Sequence, residues 1–243
     1  MSETSTLIGY SGRTIGREEL ALGPTPPATE THRPIPHQEI VRALIETLGF
    51  RHIGVVHDEY AVSPDGMKMF GALDLATEME GCRFSIGLRN SHDKSMRLAM
   101  TCGYRVFVCS NMAFSGDFTP VLAKHSKSFS LIECVSVGVD KMQRNFEPMQ
   151  RQVEQWRQAI ITDERAKLIF YSAFVEGKLD VSRSLLAEVH RLYFEPQYDE
   201  FSPRTMWSLS NAFTSAFKRL DPIPQFKATA KLGEFLSQLP GVN

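Results

Sequence analysis

Residues 83–109 alternate with period two, and that alternation constrains the chain more than any other feature of its 243 residues. Across 83–89, Phe84, Ile86 and Leu88 point one way and Arg83, Ser85, Gly87 and Arg89 the other. Across 96–101, Met96, Leu98 and Met100 oppose Arg97, Ala99 and Thr101. Cys102-Gly103 is short enough for a tight turn, after which Tyr104, Val106 and Val108 alternate with Arg105, Phe107 and Cys109. Three antiparallel strands built this way bury one apolar face. They raise Arg83, Arg89, Arg97 and Arg105 on the other, with Phe107 among them. Asn90, Ser91, His92, Asp93 and Lys94 then close the first hairpin at its rim. Guanidinium groups separated by small residues suit a phosphate backbone, although arginines on the wet face of a half-exposed sheet are also ordinary. Residues 94–102 fit a short helix as well, through Met96, Ala99 and Met100, and in that case Arg97 leaves the platform.

The charge distribution points the same way. Net charge is −1, so the protein as a whole is not a polycation. Residues 1–80 nevertheless carry six Lys/Arg against twelve Asp/Glu, whereas residues 81–130 carry seven against two, and the remainder holds fourteen of each. A basic segment inside a neutral chain suits a local anionic partner better than indiscriminate coating of nucleic acid. Cys82, Cys102, Cys109 and Cys134 lack zinc-ligand spacing and read as free thiols of a reducing compartment. With no signal peptide and no apolar run long enough to span a bilayer, a cytoplasmic protein without membrane contact is expected.

In chain order, residues 1–35 are poor in large apolar side chains and proline-rich, and read as a flexible arm. A helix begins at Pro36, with Ile40, Val41, Leu44, Ile45 and Leu48 as its apolar stripe and Gly49 as its stop. Strands over 53–62 and 67–73 flank Ser63-Pro64-Asp65-Gly66, which fits a type I turn. Beyond residue 130, Ile132, Val135, Val139, Met142, Phe146, Met149, Val153, Trp156 and Ile160 recur at helical spacing as one continuous apolar seam, and Pro148 should kink or break that helix near Phe146. Helices follow over 163–176, 182–194, 205–220 and 225–239. The expected fold is α+β: an opening helix, an antiparallel meander of about five strands over 36–130, and a helical region over 131–243 packed on it.

No motif specifies a reaction. A metal site combining His57, Glu59, His92 and His125 competes with chance adjacency of seven scattered histidines. A hydrolase or nuclease could draw on His57, Glu59, His92 and Asp93. Cys109 with His92 could form a thiol–imidazole pair, against the plainer reading of an inert buried thiol. No cofactor and no resident metal are expected, and a non-enzyme is favoured.

Gly87-Leu88-Arg89-Asn90-Ser91-His92-Asp93-Lys94-Ser95 and Gly103-Tyr104-Arg105-Val106-Phe107-Val108-Cys109-Ser110-Asn111, with Phe114-Ser115-Gly116, carry a resemblance over about 36–127. The chain there resembles a family of phage- and plasmid-encoded proteins grouped as a domain of unknown function (number 932). The resemblance implies a mobile-element setting and no reaction. A second likeness, at the level of the fold, is to single-strand annealing proteins of the Rad52 type, which have a helix, a meander and a long helix and form rings.

The leading expectation is a nucleic-acid-binding protein, single strands favoured, acting in replication, recombination or defence evasion of a mobile element. Arg83, Arg89, Lys94, Arg97 and Arg105 would contact phosphates, Phe107 would stack a base, and Asn90, Ser91 and His92 would supply directional hydrogen bonds. The alternatives are an oligomeric interaction protein binding a host or phage protein, and the metal-dependent hydrolase. A homo-oligomer is expected.

Overall fold

Period-two patterning becomes strand wherever the sequence expected it, with different ends. The computed structural model describes residues 13–30, 32–114, 121–123 and 130–239. β2 (Val55–Val62), β3 (Lys68–Met79), β4 (Cys82–Ser91) and β5 (Leu98–Val106) form an antiparallel meander. Three short strands complete a seven-stranded sheet: β1 (Arg13–Ile15) beside β2, and β6 (Met112–Phe114) and β7 (Val121–Ala123), both beside β5. The Ser63–Gly66 turn forms, with Gly66 N–H donating to Ser63 O at 2.8 Å and Gly66 at a φ of 71°.

One face of the meander carries Phe84, Ile86, Leu88, Leu98, Met100, Cys102, Tyr104 and Val106, all buried. Against it pack α2 (His37–Phe50), α3 (Leu131–Gln158) and α6 (Met206–Phe217), through contacts such as Phe84 on Phe146 at 4.3 Å and Tyr104 on Trp207 at 5.8 Å. α3 begins at Ser130, whose hydroxyl accepts from Glu133 N–H, and Pro148 does not break it. α4 (Asp163–Phe174) and α5 (Leu186–Phe194) enclose α6, which is buried on nearly every side. α7 (Pro222–Ser237) buries Leu232 and Leu236 in this core while setting Phe226 on the opposite face. Fold class and helix order are therefore as expected. Among the described residues no helix is long and apolar enough to cross a membrane.

Three expectations need correction. Cys102-Gly103 is not a turn but the middle of β5, which runs unbroken from Leu98 to Val106. Glycine is needed there because β6 passes so close that a Cβ on Gly103 would sit 2.3 Å from Ala113 O. The face assignments survive because the parity of a strand is the same with or without a turn at that pair. Second, residues 92–97 form an irregular connection, neither strand nor helix, and Arg97 precedes β5. Third, the described part of the expected flexible arm is docked. β1 pairs with β2, the short helix α1 (Arg17–Leu20) gives Leu20 to the core, and His32 bonds to His92 O at 3.0 Å. Residues 1–12 lie outside the described residues.

Candidate functional site

The register puts Arg83, Arg89 and Arg105 on the face opposite the main core, with Ser85, Gly87, Ala99, Thr101 and Gly103 between them. They do not form a shared platform. Arg105 is almost enclosed: Nη2 bonds to Glu59 Oε1 at 3.0 Å, and Nε lies 2.7 Å from Asp74 Oδ2 as an ion pair without an aligned N–H bond. Ser85 Oγ donates to the other Asp74 oxygen at 2.6 Å. Arg83 pairs with Glu78 and lies over the Phe107 ring, its Cζ 5.2 Å from the centroid. Between these two and Arg89 the face is covered, since Ala61, Phe70, Ala72, Met112 and Phe114 form a second apolar cluster under Phe226.

The far end of the face differs. Arg89, opposite Phe70 and Ala99, is half-buried, has no carboxylate partner among the described residues, and leaves Nε without a hydrogen bond. Burial pushes its pKa below the usual guanidinium value. Arg97 is exposed two residues before Ala99, and Lys94 is exposed in the connection. Neither has an ion-pair partner among the described residues.

Asn90, Ser91 and His92, read from sequence as ligand contacts, are buried at 0, 1 and 4% exposure. Their polar atoms hold the chain to itself. Asn90 Nδ2 donates to Ile35 O at 3.2 Å and to His37 Nδ1 at 2.9 Å. That bond places the His37 proton on Nε2, which reaches Gly66 O at 3.2 Å. Ser91 Oγ donates to Met96 O and accepts from Met96 N–H. His92 Nε2 bonds to Ile35 O at 3.0 Å, and its ring stacks on His37 with centroids 3.9 Å apart. The trio is a clamp on the 32–37 segment; Asn90 Oδ1 and His92 Nδ1 make no hydrogen bond, but both atoms are buried.

At the opposite end from this clamp lies a cleft of about 560 Å³, lined by residues that include His57, Glu59, Asp74, Arg83, Arg105 and Phe107. Carboxylates of Glu19, Asp58, Glu59 and Asp74 outnumber the guanidinium groups of Arg83 and Arg105 along its wall. Asp58 is held below the usual carboxylate range, against its burial, by hydrogen bonds from Arg17 at 2.7 Å and Tyr60 at 2.6 Å. The cleft is a mixed-charge site and not a cationic groove.

The family model for the domain of unknown function DUF932 matches residues 29–233, well beyond the segment whose motifs suggested it. The chain belongs to this DUF932 family. No curated protein and no solved structure matches it. The match takes in the meander, α3 and the clamp residues from His32 onward, so it spans the sheet and most of the helical half.

The structure separates the groups of the hydrolase reading. His57 faces Asp74, while His92 follows the Lys68–Ser91 pair at the other end, six strand residues or roughly 20 Å away. Among the described residues no group of three or more His, Cys, Asp and Glu could hold a metal, and His125 lies outside them. Cys109, in the turn after β5, is likewise remote from His92, and burial pushes its thiol up to about 11. Sequence reasoning missed Asp74 and Glu59 as arginine partners. The signal was parity, because Asp74 continues the Phe70, Ala72 face one residue past the expected strand end.

Two expectations follow. Arg105→Met leaves Glu59 and Asp74 without their shared cation and should cost about 3 kcal/mol or more in urea unfolding, whereas Arg83→Gln, at a half-exposed pair, should change stability by about 1 kcal/mol or less. Burial, with His32 nearby, lowers the His92 pKa, opposed by the bond to Ile35 and by Asp93. The unfolded chain therefore binds a proton that the folded chain resists, so stability is full above about pH 6.5 and declines as pH falls toward the folded value. Urea midpoints at pH 7.5, 6.5 and 5.5 should fall in the native protein, and less steeply in His92→Gln.

Proposed function

We propose that this chain binds single-stranded nucleic acid through the rim at the Arg89 end of the sheet, with Arg89, Lys94 and Arg97 as phosphate contacts. The observation that carries the reading is selective pairing. Arg83 and Arg105 are matched with carboxylates, while Arg89 and Arg97 have none among the described residues. A half-buried guanidinium without a counter-ion is costly unless an anion arrives from outside. The basic segment continues in sequence to Lys124 and Lys127, which lie outside the described residues. Phosphate contacts of this kind give affinity without sequence preference. Replication, recombination or defence evasion in a mobile element is the setting that the family resemblance implies for such an activity.

Anisotropy titrations with oligo(dT) test it. Arg89→Gln with Arg97→Gln should weaken binding and reduce the slope of log K against log salt by about 1.4, two contacts at ~0.7 each. Arg83→Gln should leave both unchanged. Equal affinity and slope for the double variant and the native chain would refute the reading.

Assembly is a second reading, favoured by one observation. α4 and its C-cap expose Leu168, Tyr171 and Val175 at 68, 54 and 39%, three positions on one helical face. Light scattering of Leu168→Glu with Tyr171→Glu should report a smaller particle than the native chain. An unchanged mass would remove α4 as an assembly surface.

A further inference from the structure

We infer that the stacked His37–His92 pair is an acid-sensitive latch, and that protonation of either ring releases the 32–36 segment while the sheet and helices stay folded. The latch adjoins the connection that carries Lys94 and Arg97, and it stands whether or not that rim binds nucleic acid.

Each ring is fixed in its neutral form by what surrounds it. His37 Nδ1 accepts from Asn90 Nδ2 at 2.9 Å, and the same amide nitrogen donates to Ile35 O at 3.2 Å. A proton on Nδ1 would meet that donor head-on. Turning the amide over offers Oδ1 to the new N–H but sets the same oxygen against Ile35 O, so the amide cannot serve both. His92 donates from Nε2 to Ile35 O, which leaves Nδ1 to take a proton. Nδ1 is buried without a hydrogen bond, so the imidazolium would carry a buried N–H with no acceptor. The two rings lie 3.9 Å apart and within 9° of parallel, and a charge on one opposes a charge on the other. His32, itself buried, brings a third imidazole to the cluster through its bond to His92 O.

The charged groups around the pair do not offset this. On the 92–97 connection Asp93 favours the His92 imidazolium, yet burial is the larger influence and holds that pKa below its usual value. Asp93 is also engaged elsewhere, accepting from Ser95 N–H at 2.9 Å and lying 3.7 Å from Lys68 of β3. In the turn before β3, Asp65 accepts from Met67 N–H at 3.0 Å. Arg33 on the segment, Glu39 on α2, and Lys94 and Arg97 on the connection are exposed.

Release is local because the segment depends on these polar contacts. Across 24–30 and 32–36 only His32 and Pro34 are buried, and Ile35 packs partly exposed against the main core. Upstream, β1 and α1 are anchored by strand pairing, by Leu20 and by the Arg17–Asp58 pair. Downstream, α2 is anchored by its apolar stripe. Opening also rehydrates Asn90 Oδ1, which the closed clamp buries without a hydrogen bond.

A glutamyl endopeptidase acting at Glu30 of the full chain reads the open segment, with rates normalised at each pH to a synthetic peptide of residues 24–36. Cleavage follows the open population when reclosing is fast, and each ring that takes up its proton only on opening raises that population by up to about tenfold between pH 7.5 and 5.5. The native chain should show a rise of about tenfold, beginning near pH 6.5. His92→Gln keeps a donor for Ile35 O and cannot titrate, so its rise should be several-fold smaller. No rise, an onset near pH 4 where carboxylates titrate, or an equal rise in His92→Gln each overturns the latch. Cleavage at Glu39 and Glu46 of α2 and Glu78 of β3 that climbs in step with Glu30 also overturns it, because the whole chain is then unfolding. Should His92→Gln be cut rapidly already at pH 7.5, the onset in the native chain decides.

Discussion

The ion cluster of Arg105 with Glu59 and Asp74 decides what the exposed side of this sheet can be. Arg105 belongs to β5, Asp74 to β3 and Glu59 to β2, so the side chain reaches across β4 to strands two and three positions away. Strands lie about 4.8 Å apart, and an arginine covers that span only if nothing tall stands beneath it. Ser85 on β4 meets the requirement, and donates to Asp74 as well. Three charges so placed, with side chains at most 12% exposed, are costly to desolvate and hold together only because each satisfies another. The cluster fixes the spacing of β2 through β5 at one end of the sheet and turns that end acidic. The polyanion groove expected from alternating arginines is lost there for the same reason.

What the sequence made legible is what depends on local periodicity. The α+β order, the stripe of α2, the long α3 and the parity of β4 and β5 all follow from period two or period 3.6. Parity was robust even where the element was wrong, since a strand carried through Cys102-Gly103 points Arg105 the same way that a turn would have. Ion pairing was not legible, because it depends on which strands are neighbours and how far each runs. Reading β3 to stop at Leu73 left Asp74 off the face by a single residue. Glu59 beside His57 reads from sequence as a metal ligand, since one chain position gives no reason to prefer an arginine three strands away over an ion.

The clamp shows a different limit. Residues 13–36 lack a hydrophobic pattern and composition alone makes them an arm. Apart from Leu20 in the core and Ile15 and Ile35 packed against it, their attachment is polar: two carbonyls, an asparagine and stacked imidazoles, with backbone pairing of β1 to β2. Hydrophobic periodicity carries no record of such contacts. Density of donors and acceptors in Asn90-Ser91-His92 was a true signal of special chemistry, but that chemistry closes the fold at a point where a 55- to 60-residue loop returns. Buried polar networks specify one arrangement strictly because each unsatisfied member is costly, which is a sufficient reason for so many polar groups in one short stretch.

The two ends of the exposed face are therefore different surfaces. Phe114, held over Gly87 and Gly103 where no Cβ would fit, and Phe226 from α7 divide them with an apolar ridge. Because Phe226 arrives from a helix that also fills the main core, the ridge cannot be removed without loosening α7. At the Arg89 end, unpaired cations favour anions by long-range attraction that salt weakens. At the Arg105 end the charges are matched within the sheet, with side chains at most 12% exposed, and salt reaches them far less. Ionic strength therefore acts on one end of the face and leaves the matched charges of the other almost unchanged.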